Sequence, residues 1–297
     1  MAHSISKLQN EESALRRLAA QRHLYGNGKK VQSLQIFLST VVPVALLIAE
    51  TSFAPVKAWA ALFGISISIL DAAFLEPLKD GLRKRAAATQ ELFDCQVLNL
   101  EWPVLKAIRP DPEDIQEASS DFQSPDLRDW YPTEIEKLPL PTARLVCQRS
   151  NCWWDSKLRR TYRIALIGIL IAIGFSLIGL AVAFNLTVSD FVLSLMAPSL
   201  PLILWMLREA QKQSEAAKRA DNLKSFGDNL WKLVLEKKLD ADEVTRRSRT
   251  FQDAILEHRQ KSSVIFDWVY RILKSRFENQ MHYGAAEMVM EAEQTGI

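Results

Sequence analysis

The sequence predicts an all-α integral membrane protein: four transmembrane helices in two hairpins, with a helical cytoplasmic insert between the hairpins and more cytoplasmic helices at the C-terminus. Three observations predict it. First, Ile164–Phe184 is a run of 21 residues without a charge. At about 1.5 Å per residue, such a helix crosses a hydrocarbon layer of roughly 30 Å. Second, three further apolar runs, Val31–Ala49, Ala58–Leu75 and Phe191–Leu207, pair with it or with each other across short turns. Third, lysine and arginine crowd the outer ends of the runs and almost vanish from the turns.

The averages conceal this. With 297 residues, a net charge of +2 and a mean hydropathy of −0.04, the chain resembles a soluble protein. Strongly apolar runs are offset by highly charged ones. A charge so near zero argues against a binder of nucleic acid polymers. Three cysteines and four scattered histidines offer neither zinc spacing nor an even disulfide set. A reducing, cytosolic setting for the polar parts is the simpler reading, and no metal or cofactor is expected.

Residues 1–30 read as a cytoplasmic amphipathic helix with Leu8, Leu15, Leu18 and Tyr25 on one side. No apolar stretch near the start suggests a cleavable signal peptide. Gly26-Asn27-Gly28 is expected to end the helix. Residues 31–75 form the first hairpin, with Pro43 a kink in its first span and Pro55 in its turn. Ala61, Gly64, Ser68 and Ala72 make a small-residue stripe on the second span. Helices in lipid associate by close backbone packing, which small residues permit.

Asp71 is the one acid well inside an apolar run. It reads either as a pore or gate residue or as a group near the cytoplasmic edge that reaches Lys79 or solvent.

Residues 76–162 form the insert, the candidate sensor. It opens helically, with Leu92, Phe93, Val97 and Leu100 as a buried face, and then breaks into proline-punctuated pieces. Its densest part, Thr142–Tyr162, interleaves Arg144, Arg149, Arg159 and Arg160 with Trp153, Trp154 and Tyr162. Guanidinium groups pair with phosphates and indoles stack on bases, so the mixture suits a small nucleotide. Basic and aromatic residues also flank membrane spans routinely.

Residues 163–207 form the second hairpin. Ala165, Gly168, Ala172, Ser176 and Gly179 make its stripe, and Pro198 and Pro201 loosen its last span. The C-terminal region, 208–297, is helical in pattern. Asp240 caps one helix with Glu243 three residues on, Val244, Ser248, Phe251 and Ile255 form its buried face, and Ile265, Val269 and Ile272 continue a face beyond it.

Orientation follows the cations. Lys29-Lys30, Arg83-Lys84-Arg85, Arg159-Arg160 and Arg208 lie outside the hairpins, while the two hairpin turns hold only Lys57. Both termini and the insert therefore face the cytoplasm. No phosphate loop, HExxH, CxxC or GxSxG occurs, so an enzyme is not expected.

Several ordered segments resemble a known family. They are Gln9-Asn10 with Leu18–Tyr25 before the first span, Gln90-Glu91-x-Phe93-Asp94 with Trp102 after the second, and Asp129-Trp130-Tyr131, Ala143-Arg144-Leu145 and Gln148-Arg149-x-Asn151-x-x-Trp154-Asp155 before the third. The chain resembles the four-transmembrane effectors of bacterial anti-phage systems, encoded beside cGAS/DncV-like nucleotidyltransferases. The resemblance implies an effector switched on by a cyclic di- or trinucleotide after infection, which then injures the inner membrane.

The leading function is thus a ligand-gated pore or membrane disruptor. Four thin spans enclose little, so a homo-oligomer is expected in the bilayer. Trp130, Tyr131, Arg144, Arg149, Asn151, Trp154 and Asp155 are the candidates for binding the nucleotide or coupling its binding to the third span. The alternatives are a membrane-anchored adaptor and, third, a small transporter.

Overall fold

The computed structural model describes residues 4–42, 56–120 and 127–297. Pro43, Pro55 and the hairpin turn around it lie outside the described residues. Every regular element among the described residues is helical. α1 (Ile5–Leu8) and α2 (Glu12–Ile36) are followed by a π-helical turn, Phe37–Val41. α3 (Val56–Leu70) passes through a second π turn, Asp71–Leu75, into α4 (Glu76–Val97). A short α5 (Pro112–Ala118) and a 3-10 turn, Thr133–Lys137, lead to α6 (Leu140–Ala183). One helical turn, Val188–Asp190, and a third π segment, Phe191–Met196, open α7 (Ala197–Leu235). α8 (Ala241–Lys261) and α9 (Asp267–Thr295) complete the chain.

Helix boundaries have local causes. Asp240 accepts a hydrogen bond from the Glu243 amide at 2.7 Å and starts α8, as its sequence position predicts. Gly296, at φ 71°, closes α9 in the left-handed conformation that glycine adopts without a Cβ clash. Pro112 sits in the first turn of α5, where a missing N–H costs nothing. The expected break at Gly26-Asn27-Gly28 does not occur, because α2 runs straight through it. Each glycine in a helix interior costs only about 1 kcal/mol, and Leu18, Ala20 and Leu24 on the same helix are buried, which outweighs that.

The chain divides into two compact units. The first comprises Met1–Gly26, Leu82–Arg159 and Glu215–Ile297; the second comprises Asn27–Gly81 and Arg160–Ser214. The first, polar unit has an ordinary core. Leu15 and Leu18 of α2, Phe93 and Val97 of α4, Leu145 and Val146 of α6, Trp231 and Val234 of α7, Phe251 and Ile255 of α8 and Met288 and Val289 of α9 are all buried in one cluster. Of the expected faces, Leu92, Phe93 and Val97 are buried and Leu100 packs against the cluster. Ile272, expected inward, is 71% exposed. Helix α9 starts only at Asp267, and its inner face runs through Val269, Phe277, Met281 and Ala285 instead.

The second, apolar unit is the reverse of a soluble core. Ile164, Ile171, Phe175 and Val182 on α6, Ile65 and Ile69 on α3 and Leu193 before α7 are all more than half exposed. Among the described residues two helices are long and apolar enough to cross a membrane, Leu140–Ala183 and Val188–Leu235. Only 11% and 6% of their most apolar stretches are buried. A core helix in a soluble protein would be mostly covered at these positions, because each fully exposed large aliphatic forfeits about 1.5–3 kcal/mol in water. A lipid solvent removes that cost.

Candidate functional site

The polar unit is built around carboxylates that no water reaches. Glu91 and Asp94, one turn apart on α4, are both 0% exposed. Helix α8 brings the countercharges. Arg249 Nη2 donates to Glu91 Oε1 at 2.6 Å, and Arg259 Nη1 donates to Asp94 Oδ2 at 2.5 Å. Between them Gln252 Nε2 lies 2.8 Å from both Glu91 Oε2 and Asp94 Oδ2. Gln148 of α6 donates to the Gln252 side-chain oxygen and to the Ser248 carbonyl, and the Ser248 hydroxyl donates back to Gln148. Burial and the neighbouring Asp94 raise the Glu91 carboxyl. Arg259 is also buried, yet Asp94 beside it holds its guanidinium above the ordinary arginine range. The arrangement clamps α4, α6 and α8 together.

Tyr131 extends the clamp. Its hydroxyl donates to Asp94 Oδ1 at 2.6 Å and accepts from Asn151 Nδ2 at 3.1 Å. Its backbone is gripped at both polar atoms by the Gln9 amide. Trp130 meets Phe93 edge-on, with centroids 6.3 Å apart. Arg144 closes the end of α4, donating to the carbonyls of Leu98 and Asn99, where Asn99 turns through φ 51°. Arg149 pairs with Asp228 of α7 at 2.9 Å. Trp154 packs between Phe277 and Tyr270 of α9.

Asp155 accepts from Arg159 and meets His258 Nε2 at 2.7 Å. Burial alone would raise its carboxyl, but Arg159 and His258 hold it well below the usual carboxylate range. The three cysteines are buried free thiols. Burial pushes Cys95 up to about 12 and raises Cys147 and Cys152 well above the ordinary thiol range, which leaves them unreactive.

Thus the structure brings Tyr131, Asn151 and Arg144 into the neighbourhood of the Glu91–Asp94 clamp, while Arg149, Trp154 and Asp155 bond to α7, α9 and α8. In the apolar unit Asp71 lies on the π turn and accepts from Gln35 at 2.6 Å. Gln35 also bonds Glu76 and Lys79, so Asp71 reaches Lys79 through one amide. Gly168, Ala172, Ser176 and Gly179 on α6 and Ser68 on α3 are exposed. Nothing lies within 4 Å of a Cβ built at Gly64, Gly168 or Gly179. The Ser68 and Ser176 hydroxyls bond the carbonyls four residues back, so neither needs a partner in lipid. Ala61 lies on α3 and is described by its backbone alone. Pro201 is inside α7 and Pro198 is in its first turn, just past the π segment. Proline within a helix removes a backbone bond and permits a kink.

The family model for the SMODS-associating 4TM effector domain matches residues 3–288, nearly the whole chain. The chain belongs to that family. It is a membrane effector of anti-phage defence. A protein of Bacillus cereus (strain VD146) named "Probable CBASS effector molecule" is 25% identical over 287 residues, covering 92% of this chain and 94% of the relative. No solved structure matches the chain.

In this 4TM effector the sequence signals were uneven. Glu91 and Asp94 lie within the Gln90-Glu91-x-Phe93-Asp94 segment, but no sequence pattern singled out their partners Arg249, Gln252 and Arg259. A cue was present: Gln252 and Arg259 are seven residues apart, two helical turns on one side, beside the buried Val244–Ile255 face. Gln35 was missed because a lone amide early in an apolar run carries no pattern of its own.

Proposed function

We propose that this effector crosses the bacterial inner membrane four times with both termini and the insert in the cytoplasm. A cyclic di- or trinucleotide made during CBASS defence switches it on, and it then oligomerises and permeabilises the membrane. The observation that carries the reading is the apolar unit, whose aliphatic side chains face outward while the polar unit buries its charges. The name of the Bacillus relative supports the CBASS setting. Transport or catalysis draws no support from the buried charged residues Glu91, Asp94, Arg249 and Arg259, which are engaged in holding helices together. Arg149 and Asp155 act as coupling residues, because their charged groups already bond neighbouring helices. The exposed Gly168–Gly179 stripe meets a second subunit, where close packing of backbones replaces lipid.

The deciding experiment is dye release from liposomes carrying the purified protein, with cyclic dinucleotides and cyclic tri-AMP added in turn. Release on adding one of them, from wild type and not from Ala172→Leu, supports a pore assembled through the stripe. A nucleotide that binds without release identifies an adaptor instead. Release by Ala172→Leu at the wild-type level removes the stripe from the assembly. Orientation is read separately. Reporter fusions at Leu138 and Ile297 are expected to be active in the cytoplasm, and a periplasmic signal from either overturns the four-span topology.

A further inference from the structure

One face of the polar unit is built differently from the rest. Between α7 and α8 lies an open cavity of about 380 Å³, at the low end of small-molecule sites, which run roughly 300–1,000 Å³. Arg219, Asn222 and Phe226 line it from α7, at three- and four-residue steps that keep them on one face. Phe251, His258 and Lys261 line it from α8. Its floor is aromatic, since Phe226 and Phe251 meet edge-on at 5.3 Å and Phe226 remains 40% exposed. Gly227 allows this depth: a Cβ there would sit 3.1 Å from the Phe251 ring and 3.2 Å from Arg149 Cβ, so α7 approaches closely. The rim is cationic. Lys261 is paired with Glu257, whereas Arg219 stands exposed beside the Asn222 amide.

We propose that this cavity is the effector's nucleotide site, an inference that rests on the cyclic-oligonucleotide reading above. One nucleobase stacks on Phe226 with its edge toward Asn222. The cyclic phosphates lie across the mouth on Arg219 and on Lys261, which releases Glu257. The rest of the ring stays outside, because the cavity accommodates about one nucleotide. The chemistry is that of sequence-tolerant nucleotide binding, with an aromatic face for the base and guanidinium or ammonium groups for the phosphates. Of the seven insert residues singled out from the sequence, Tyr131, Arg149, Asn151 and Asp155 have their polar groups bonded within the polar unit, and Trp130, Arg144 and Trp154 are packed there, with Trp130 Nε1 and Arg144 Nη1 buried and unbonded; this cavity presents instead an exposed cation and an accessible aromatic.

The site also has a route outward. His258 on the cavity floor bonds Asp155 of α6, and Asp155 bonds Arg159 on the same helix. Helix α6 is the element that carries the longest uncharged run. Displacing His258 therefore changes a bond made by α6 itself.

The test uses the full-length protein in detergent micelles and measures binding of cyclic di-AMP, cyclic di-GMP, cyclic GMP–AMP and cyclic tri-AMP. The variants are Arg219→Glu, Phe226→Ala and Lys218→Glu. Lys218 is exposed one residue away and outside the lining, so its replacement controls for charge alone. Wild type is expected to bind at least one of these, Arg219→Glu and Phe226→Ala about tenfold more weakly or worse, and Lys218→Glu within about threefold. Unchanged thermal unfolding of each variant excludes loss of fold, since Arg219, Phe226 and Lys218 are all exposed. If Arg219→Glu and Phe226→Ala bind as wild type does, the cavity is not the site and nucleotide gating stands. If wild type binds none of the four, both the site and the nucleotide reading fall.

Discussion

Arg259→Leu is expected to destabilise the polar unit by about 3–5 kcal/mol, the usual consequence of removing one partner from a buried ion pair. The cause is what remains. Asp94 is 0% exposed and would keep Gln252 and the Tyr131 hydroxyl as donors but lose its only cation within hydrogen-bond reach among the described residues. Glu91 would retain Arg249. A carboxylate left uncompensated in the interior either takes up a proton or admits water, and both separate α4 from α8. The Asp94→Asn, Arg259→Leu double variant should recover part of the loss, because an amide leaves no uncompensated charge. Urea unfolding in detergent, followed by tryptophan fluorescence, measures both. A loss below about 1 kcal/mol for Arg259→Leu, or a double variant no better than the single, removes the pair from its role as a clamp.

This clamp marks the limit of what the residues reveal by themselves. The membrane runs are legible because the constraint is local: twenty or so consecutive residues must each be compatible with lipid, and one charge in Ile164–Phe184 would have spoiled the pattern. The Asp240 cap is legible for the same reason, since donor and acceptor are three residues apart. Arg249 pairs with a carboxylate 158 residues away, and Arg259 with one 165 away. Nothing in a helix-length window separates such arginines from solvated ones.

Patterns also mislead where two rows of one helix compete. Ile265, Val269 and Ile272 share a helical period on paper, but the buried row of α9 advances in steps of four through Val269, Phe277, Met281 and Ala285, and Ile272, three residues on from Val269, falls off that row and turns outward. Gly26 and Gly28 mislead for another reason: propensity is a weak local term, and buried side chains on the same helix decide the backbone. The three π turns left no trace in composition. Each falls inside an apolar run, where the extra residue per turn alters the faces without altering hydrophobicity.

The insertion of α6 into lipid is open to a test in which the same substitution has opposite consequences in two solvents. Phe175 lies near the middle of the 164–184 run and is 73% exposed. In water an arginine at so open a position would change stability by no more than about 0.5 kcal/mol and would improve solubility. At the centre of a bilayer it is unfavourable by about 2.5–3.5 kcal/mol on insertion scales. Phe175→Arg is therefore expected to leave the membrane fraction or to be degraded. Ile164→Arg should remain membrane-bound, although Ile164 is 66% exposed and just as apolar. It adjoins Arg163 at the end of the run, where a long side chain carries its charge to the headgroups. Alkaline carbonate extraction of cell membranes reads both variants directly. A depth-dependent difference identifies lipid as the solvent of this face. Equal retention of the two arginines would mean that the exposed aliphatics of α6 are covered by something other than a bilayer.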